Sequence, residues 1–405
     1  MRFCMVTTFY PPYHFGGDAT YVRGLSRALA ARGHSVEVVH CEDAYRLAGQ
    51  TVPSAANVEQ GIVVHRLKNR WGPLSPLITQ QTGRPGFKLP ELSAILSRDF
   101  DVVNFHNISL IGGPAILQLS RAPATLYTLH EHWLLCPTHI FWKNRSKACD
   151  GKQCIRCSVR SGIPPQWWRY TGLIQRSISK VDRFLAPSEF TAQRHREAGI
   201  APVQVLPLFS FLDPEAEHAQ AAPTRTRPRF LFVGRVTASK GIHHLLAQFA
   251  KLPNYDLVIV GDGNLRASLQ RQYAGQANIR FLGAIPQQDL MTLYREATAL
   301  VFPSLAPETF GLSIAEAFAC GTPAIVRDAG GSRELINATG GGMVYQTDEE
   351  LLAALHRLAS DDALRAQLAQ RARAGYEQHY TQQRHVEAYL ACVAEIRERK
   401  GITVT

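Results

Sequence analysis

Short runs rich in β-branched and aromatic residues recur along this chain, and an amphipathic stretch of helical length separates nearly every two of them. Parallel strands need a long return connection, so this alternation is the pattern of a parallel sheet with crossover helices, an α/β fold. In the first half strands are expected at 2–8, 35–40, 61–67, 101–106, 124–130 and 182–187. In the second half "RFLFVGR", "DLVIVGDG", "NIRFLGAI", "TALVFPS" and "TPAIVRD" form another series. Between the two lies "FLDPEAEHAQAAPTRTRPRF", polar and Pro-containing as linkers are. At 405 residues the chain also exceeds what one hydrophobic core usually covers. The expectation is two doubly wound, Rossmann-like domains, 1–208 and 229–378, joined by a linker at 209–228. The stretch 379–405 contains the helical segment "QQRHVEAYLACVAEIRERK", which ends in basic residues that suit a helix C-terminus, and is expected to return to the first domain.

Apolar runs fall short of the ~20 residues that span a bilayer. The opening "MRFCMVTTFYPP" reads as a first strand rather than a signal peptide, so a cytoplasmic protein is expected. A net charge of +11 calls for an anionic partner: a nucleotide, a nucleic acid or a membrane surface. The excess is concentrated. Between His139 and Arg183 stand ten Lys and Arg against Asp150 and Asp182.

Ligands of open parallel sheets gather at the carboxyl ends of strands, and the chemically suggestive residues fall there. In the first domain the loop "YPPYHFGGDATYVRG" opens a helix that Asp18 can cap, and Gly16 and Gly17 let amides approach an oxyanion. A tight turn is the plainer reading of the two glycines. His106 and Asn107 end the fourth strand, and His130, Glu131 and His132 end the fifth. Each histidine is either a cleft residue or a surface one. In the second domain "FVGRVTASKG" places Gly234, Arg235, Lys240 and Gly241 after a strand. Arg235 as a fork and Lys240 as a point charge suit a diphosphate, and a solvated basic loop is the alternative. Gly261, Gly263 and Gly283 mark two further strand ends converging on the same cleft.

"PETFGLSIAEAFACGTP" adds two acids to this basic setting. Gly311 to Ser313 can begin a helix whose free amides hold phosphate oxygens, with Glu308 in the loop before it. On a helical wheel Leu312, Ala315, Phe318 and Ala319 form the apolar arc and Glu316 borders it. A carboxylate does not grip phosphate, but it accepts hydrogen bonds from a vicinal diol. Cations for a diphosphate, amides for its oxygens and acids for sugar hydroxyls together describe a nucleotide sugar.

These residues resemble the retaining glycosyltransferases of family 4, which have the two-domain GT-B fold with the domains facing a cleft. The resemblance rests on the GG loop, His130, "FVGRVTASKG", "VGDG" and above all the E-x7-E pair of Glu308 and Glu316. It implies that Arg235 and Lys240 bind the donor diphosphate, that Glu308 holds hydroxyls of the transferred sugar and that Glu316 holds the ribose. Amides of Phe310, Gly311 and Leu312 would line sugar and phosphate, and His130 would approach the sugar from the first domain. It also implies metal-independent hexosyl transfer with retention, to a glycan or lipid-linked acceptor. Two features depart from the family pattern: Glu131 where Asp is common after the His, and "VLPLFSFLDP" where Asn-Gly usually opens the second domain.

Cys136, Cys149, Cys154 and Cys157 have the spacing C-x12-C-x4-C-x2-C. They suit a structural zinc, an iron–sulfur cluster or unligated thiols. The other cysteines, Cys4, Cys41, Cys320 and Cys392, sit among apolar neighbours and read as core. The insertion 133–183 also holds Trp133, Trp142, Trp167 and Trp168, a mixture with arginine that suits an anionic membrane surface or a small core of its own. Two other functions fit parts of the sequence. A GT-B nucleotide-sugar epimerase would turn over donor without acceptor, and a basic zinc-containing nucleic-acid-binding protein would use the Cys-rich insertion rather than the two glutamates.

Overall fold

A computed structural model describes residues 1–14, 16–49, 59–210, 212 and 227–402. The chain divides into two compact units. One comprises residues 1–139, 153–206 and 382–405, the other 140–152 and 207–381. Most of the expected linker at 209–228 lies outside the described residues.

The first unit is built on seven parallel strands: β1 (Arg2–Val6), β2 (Ser35–Cys41), β3 (Ile62–Leu67), β4 (Val102–Phe105), β5 (Ala124–Thr128), β8 (Arg183–Ala186) and β9 (Val203–Val205), in the order β3-β2-β1-β4-β5-β8-β9. β4 and β5 are buried along their whole length, which is why they read as continuous apolar runs. The strand order reverses between β1 and β4, and the loops leaving those two strands part there. The helix Gly17–Ala31 follows β1. It starts at Gly16, whose φ of 107° is open to glycine, and Asp18 lies in its first turn without capping it. The helix Gln382–Arg399 belongs to this unit: Asn104 donates to the Tyr389 hydroxyl at 3.3 Å, Arg397 pairs with Asp101, and Lys400 reaches Asp182 and the Pro123 carbonyl.

The second unit holds six parallel strands: β10 (Arg229–Val233), β11 (Asp256–Val260), β12 (Ile279–Gly283), β13 (Ala299–Phe302), β14 (Ala324–Arg327) and β15 (Gly342–Tyr345), ordered β12-β11-β10-β13-β14-β15. Its topological switch point lies between β10 and β13. The sequence "GMVY" of β15 is too short to announce itself as a strand, yet it pairs with β14 in parallel register. A separate antiparallel hairpin, β6 (Trp142–Lys143) with β7 (Lys147–Ala148), also groups with this unit, so the insertion expected at 133–183 is not one body.

The helix Leu312–Ala319 connects β13 to β14. Its alanines, Leu312 and Glu316 favour helix, and Ile314, Ala315, Ala317, Phe318 and Ala319 are buried. Ile314 takes the place expected of Leu312, which is half-exposed. The reason is that the helix packs on two sides, against the sheet and against the helix Asp362–His379. From the latter Arg373 donates to the Ala319 carbonyl at 2.6 Å, placing a cation on the negative end of the helix.

Candidate active site

The loops leaving β10 and β13 carry the candidate residues of the second unit and lie side by side because their strands flank the switch point. After β10 the chain passes Gly234 and the exposed Arg235, makes one 3-10 turn over Ala238–Lys240, and starts a helix beyond Gly241. The Ser239 carbonyl accepts from the amides of Leu305 (2.9 Å) and Ala306 (3.0 Å) in the β13 loop. A Cβ on Gly241 would stand 1.9 Å from the Pro303 carbonyl oxygen, so only glycine lets the two loops approach this closely.

Lys240 and Glu308 meet across this junction. Lys240 Nζ donates to Glu308 Oε1 at 2.6 Å, and Ser304 donates its hydroxyl to the same oxygen. Both charged side chains are half-buried. The Glu308 backbone is fixed as well: its amide donates to the Ala329 carbonyl at 3.2 Å, and its carbonyl accepts from Gly331 N at 2.7 Å. Gly311 follows with φ 134° and sets the start of the Leu312–Ala319 helix. The first bonds to the Gly311 carbonyl come from Ile314 and Ala315, so the amides of Leu312 and Ser313 precede the intrahelical ladder and suit an oxyanion. Phe310 is buried edge-on to Tyr380, with ring centroids 5.7 Å apart.

Glu316 lies one turn further along. Burial pushes its carboxyl up to about 7, partly offset by the Tyr294 hydroxyl, which donates to Oε2 at 2.8 Å. Tyr294 sits on the helix Gln287–Glu296, far from Glu316 in sequence and with no local mark of its role. Ser304 had a faint one: it follows β13 at a strand's carboxyl end.

Glycines join the neighbouring strand ends into one surface. Gly234 N donates to the Val260 carbonyl (3.0 Å) and Gly261 N to the Gly283 carbonyl (2.7 Å). Gly261 has φ 127°, and a Cβ there would lie 2.0 Å from the Gly234 carbonyl oxygen. Gly263 passes over Val236 in the same manner. The Arg266 guanidinium covers Gly283 and pairs with Asp262.

In the first unit His130 follows β5. Its Nε2 is hydrogen-bonded to Nδ1 of His106 at 3.0 Å, and its ring meets Tyr21 edge-on at 4.8 Å. The Tyr21 hydroxyl bonds in turn to His385 Nε2 at 2.7 Å. Burial, with the His385 charge as a lesser cause, lowers the His130 pKa to about 3, so the ring is neutral at pH 7. Asp18 accepts from Asn107 Nδ2 at 3.3 Å, and burial followed by the Glu131 charge raises its carboxyl to about 6. Glu131 itself is held by His139 at 2.7 Å. Gly16 and Gly17 sit at the start of the Gly17–Ala31 helix.

The model of the family "Glycosyltransferase Family 4" matches residues 15–209, and that of "Glycosyl transferases group 1" matches 213–375. This chain belongs to the group 1/family 4 glycosyltransferases. It is 26% identical to an uncharacterized glycosyltransferase of Methanocaldococcus jannaschii, over 94% of this chain and 95% of that protein. It is 29% identical to a glycogen synthase of Mycobacterium tuberculosis, over 92% of this chain and 89% of that protein. Among solved structures, sucrose-phosphate synthase from Thermosynechococcus elongatus superimposes with a TM-score of 0.73 at 19% identity, covering 98% of this chain and 99% of that one. That likeness establishes the GT-B type fold.

The Cys-rich region of this glycosyltransferase holds the four cysteines for which a zinc, an iron–sulfur cluster and unligated thiols were the readings. Among the described residues no three His, Cys, Asp or Glu side chains gather as ligands. Cys154 and Cys157 share a short helix, Cys154–Arg160, whereas exposed Cys149 closes the hairpin, its amide donating to the Phe141 carbonyl at 2.7 Å. Cys136 Sγ lies 3.2 Å from Thr138 Oγ1. Cys4, Cys41 and Cys392 are buried as expected, and Cys320 is half-buried.

The tryptophans divide. Trp133, Trp142 and Trp168 are buried, and only Trp167 of this group stands in solvent. Trp133 and Trp168 pack with centroids 5.7 Å apart, and the Arg169 guanidinium lies 5.2 Å and 4.7 Å from their rings. Trp168 also donates its indole N–H to the Gln80 carbonyl at 2.7 Å. Most of this aromatic-basic cluster is core, bound by cation–π contact.

Proposed function

We propose that this glycosyltransferase moves a hexose, with retention of anomeric configuration, from a nucleoside diphosphate sugar to a hydroxyl of a glycan or lipid-linked acceptor. The observation that carries this reading is the Lys240–Glu308 pair at the β10/β13 switch point, beside the free amides of the Leu312–Ala319 helix. A diphosphate needs cations and N–H donors, which Lys240, Arg235 and these amides supply. A sugar diol needs an acceptor, which Glu308 supplies once Lys240 turns to the phosphates. Glu316, one turn along, suits the ribose diol.

In the chemical step the bond between the anomeric carbon and the diphosphate oxygen breaks with its electron pair leaving on the phosphate. The acceptor hydroxyl oxygen bonds to the anomeric carbon on that same face and passes its proton to the departing phosphate oxygen. Arg235, Lys240 and the helix amides stabilise the charge that develops there. Glu308 orients the sugar ring; within the first unit the neutral His130 ring suits hydrogen bonding to a hydroxyl. Relatives in the family include a glycogen synthase, an enzyme named for a glycan product, in keeping with a glycan acceptor.

The test is a thermal-shift panel of nucleoside diphosphate sugars, followed by transfer assays with the donor that stabilises and determination of the product anomer by NMR. A ligand at 100 times its Kd adds roughly 2.7 kcal/mol of stability, which such a panel resolves. An inverted product would overturn the retaining mechanism. Turnover of donor without acceptor, yielding an epimer, would overturn transfer itself.

A further inference from the structure

The first unit exposes an apolar patch that the donor chemistry does not use. Residues 60–90 contain no Asp or Glu and five Lys and Arg. Within this stretch Trp71 is 47% exposed, Leu74 54%, Phe87 42% and Leu89 44%. The Trp71 and Phe87 rings stack, with centroids 5.5 Å apart and planes 19° from parallel, and the Arg70 guanidinium lies 5.2 Å from the Trp71 ring. Arg66 and Lys68 lean on Glu42, whereas exposed Arg70 and Arg84 have no carboxylate partner among the described residues.

The backbone holds these side chains outward. Asn69 N donates to Asp43 Oδ2 at 2.7 Å, Trp71 N to Asn69 Oδ1 at 3.0 Å, and Asn69 Nδ2 to the Phe87 carbonyl at 3.4 Å. Between Phe87 and Leu89 in sequence, Lys88 is buried, its ammonium donating to Ser75 Oγ (3.1 Å) and Thr79 Oγ1 (2.9 Å). The backbone that carries the aromatic pair is thus fixed at Asn69 and at Phe87. A contiguous exposed apolar surface of this kind marks a contact.

We infer that this face docks the enzyme on an anionic lipid bilayer. Tryptophan and phenylalanine settle at the headgroup level, leucines beside them enter the acyl boundary, and the unpaired arginines meet lipid phosphates. No helix among the described residues is long and apolar enough to cross a membrane, so the contact is interfacial. The turn that carries the exposed Trp167 and Tyr170 is tied to the Leu74–Thr82 helix by the Trp168 to Gln80 bond. The membrane surface suggested by the tryptophans of 133–183 thus moves to residues 70–89, since Trp168 is core.

The experiment is vesicle flotation of the full chain without donor, comparing phosphatidylglycerol/phosphatidylcholine vesicles with phosphatidylcholine alone. Wild type is expected to float with the anionic vesicles only. Both Trp71→Ser/Phe87→Ser and Arg70→Glu/Arg84→Glu should weaken partition about tenfold or more while the thermal midpoint and the donor-induced shift stay unchanged. Wild type that stays with the soluble fraction, or variants that float like wild type, would overturn the inference. Since no donor is present in the flotation, the outcome is separate from that of the transfer reaction.

Discussion

Lys240 and Glu308, 68 residues apart in sequence, form an ion pair of 2.6 Å where the β10 and β13 loops meet. In the proposed reaction this pair opens, Lys240 to the diphosphate and Glu308 to the sugar, so the donor competes with an internal salt bridge. Removing either partner frees the other but takes away one donor contact. Lys240→Ala and Glu308→Ala are each expected to lower kcat/KM about a hundredfold or more. The double variant should lose less than the product of the two, because the residues are in contact. A double-mutant cycle on transfer rates measures this. Near wild-type transfer by either single variant would sink the site assignment.

Gly261 tests whether the strand-end glycines build the donor surface or merely turn the chain. Its φ of 127° and the 2.0 Å approach of the Gly234 carbonyl leave no space for a methyl group. Gly261→Ala must push the β10 loop, and with it Arg235, out of place. The expected cost is about 2–4 kcal/mol of stability, with donor affinity falling beyond that of the exposed control Gly275→Ala. Gly275 has open space around it. Urea titration and calorimetry separate the two effects.

Trp167 and Trp168 are adjacent in sequence and opposite in environment. Trp168 is buried, hydrogen-bonded to Gln80 and stacked with Arg169, whereas Trp167 is 61% exposed. Trp168→Ala is expected to cost about 3–5 kcal/mol from lost burial and the cavity left behind. Trp167→Ala should stay within about 0.5 kcal/mol of wild type. Chemical denaturation distinguishes them, and equal losses would show that the turn is packed otherwise.

The sequence made the strand series, the two sheets and the charged strand ends legible because each is written locally, in a run or a strand-end glycine. What it hid was tertiary. Tyr294 gains its role only when the Leu312–Ala319 helix brings the Glu316 carboxylate to it, and Ser304 only when its own loop turns Glu308 back onto it. The short strands β9 and β15 exist because a neighbour offers an edge, not because three or four residues insist on it. Composition left the tryptophans of 133–183 open to a membrane surface or a small core, and packing turned Trp133, Trp142 and Trp168 inward. Cys-x-x-Cys spacing is a local signal as well, but a metal centre needs two further ligands from elsewhere, and among the described residues no three such side chains gather.

Glu316 connects electrostatics to donor binding. Its carboxyl is pushed from 4.5 up to about 7 by burial, against the opposing Tyr294 hydrogen bond. For folding the sign is that of a raised acid: the neutral form suits the folded chain, so this contribution to stability is fully present below about pH 4.5 and is lost as pH rises through about 7. For binding the sign reverses. A carboxylate accepts from both hydroxyls of a diol, whereas the protonated acid uses one oxygen as a donor. A nucleoside diphosphate sugar has both phosphates esterified and does not titrate near neutrality, so the protein governs the pH dependence. Affinity for donor is therefore expected to rise between about pH 6 and about pH 8, and Glu316→Gln should bind more weakly with a flat profile across that window. Tyr294→Phe removes the bond that favours the carboxylate and should move the midpoint to higher pH. Calorimetric titration of donor at several pH values checks all three. A flat wild-type profile would mean that Glu316 is already ionised or does not touch the ribose.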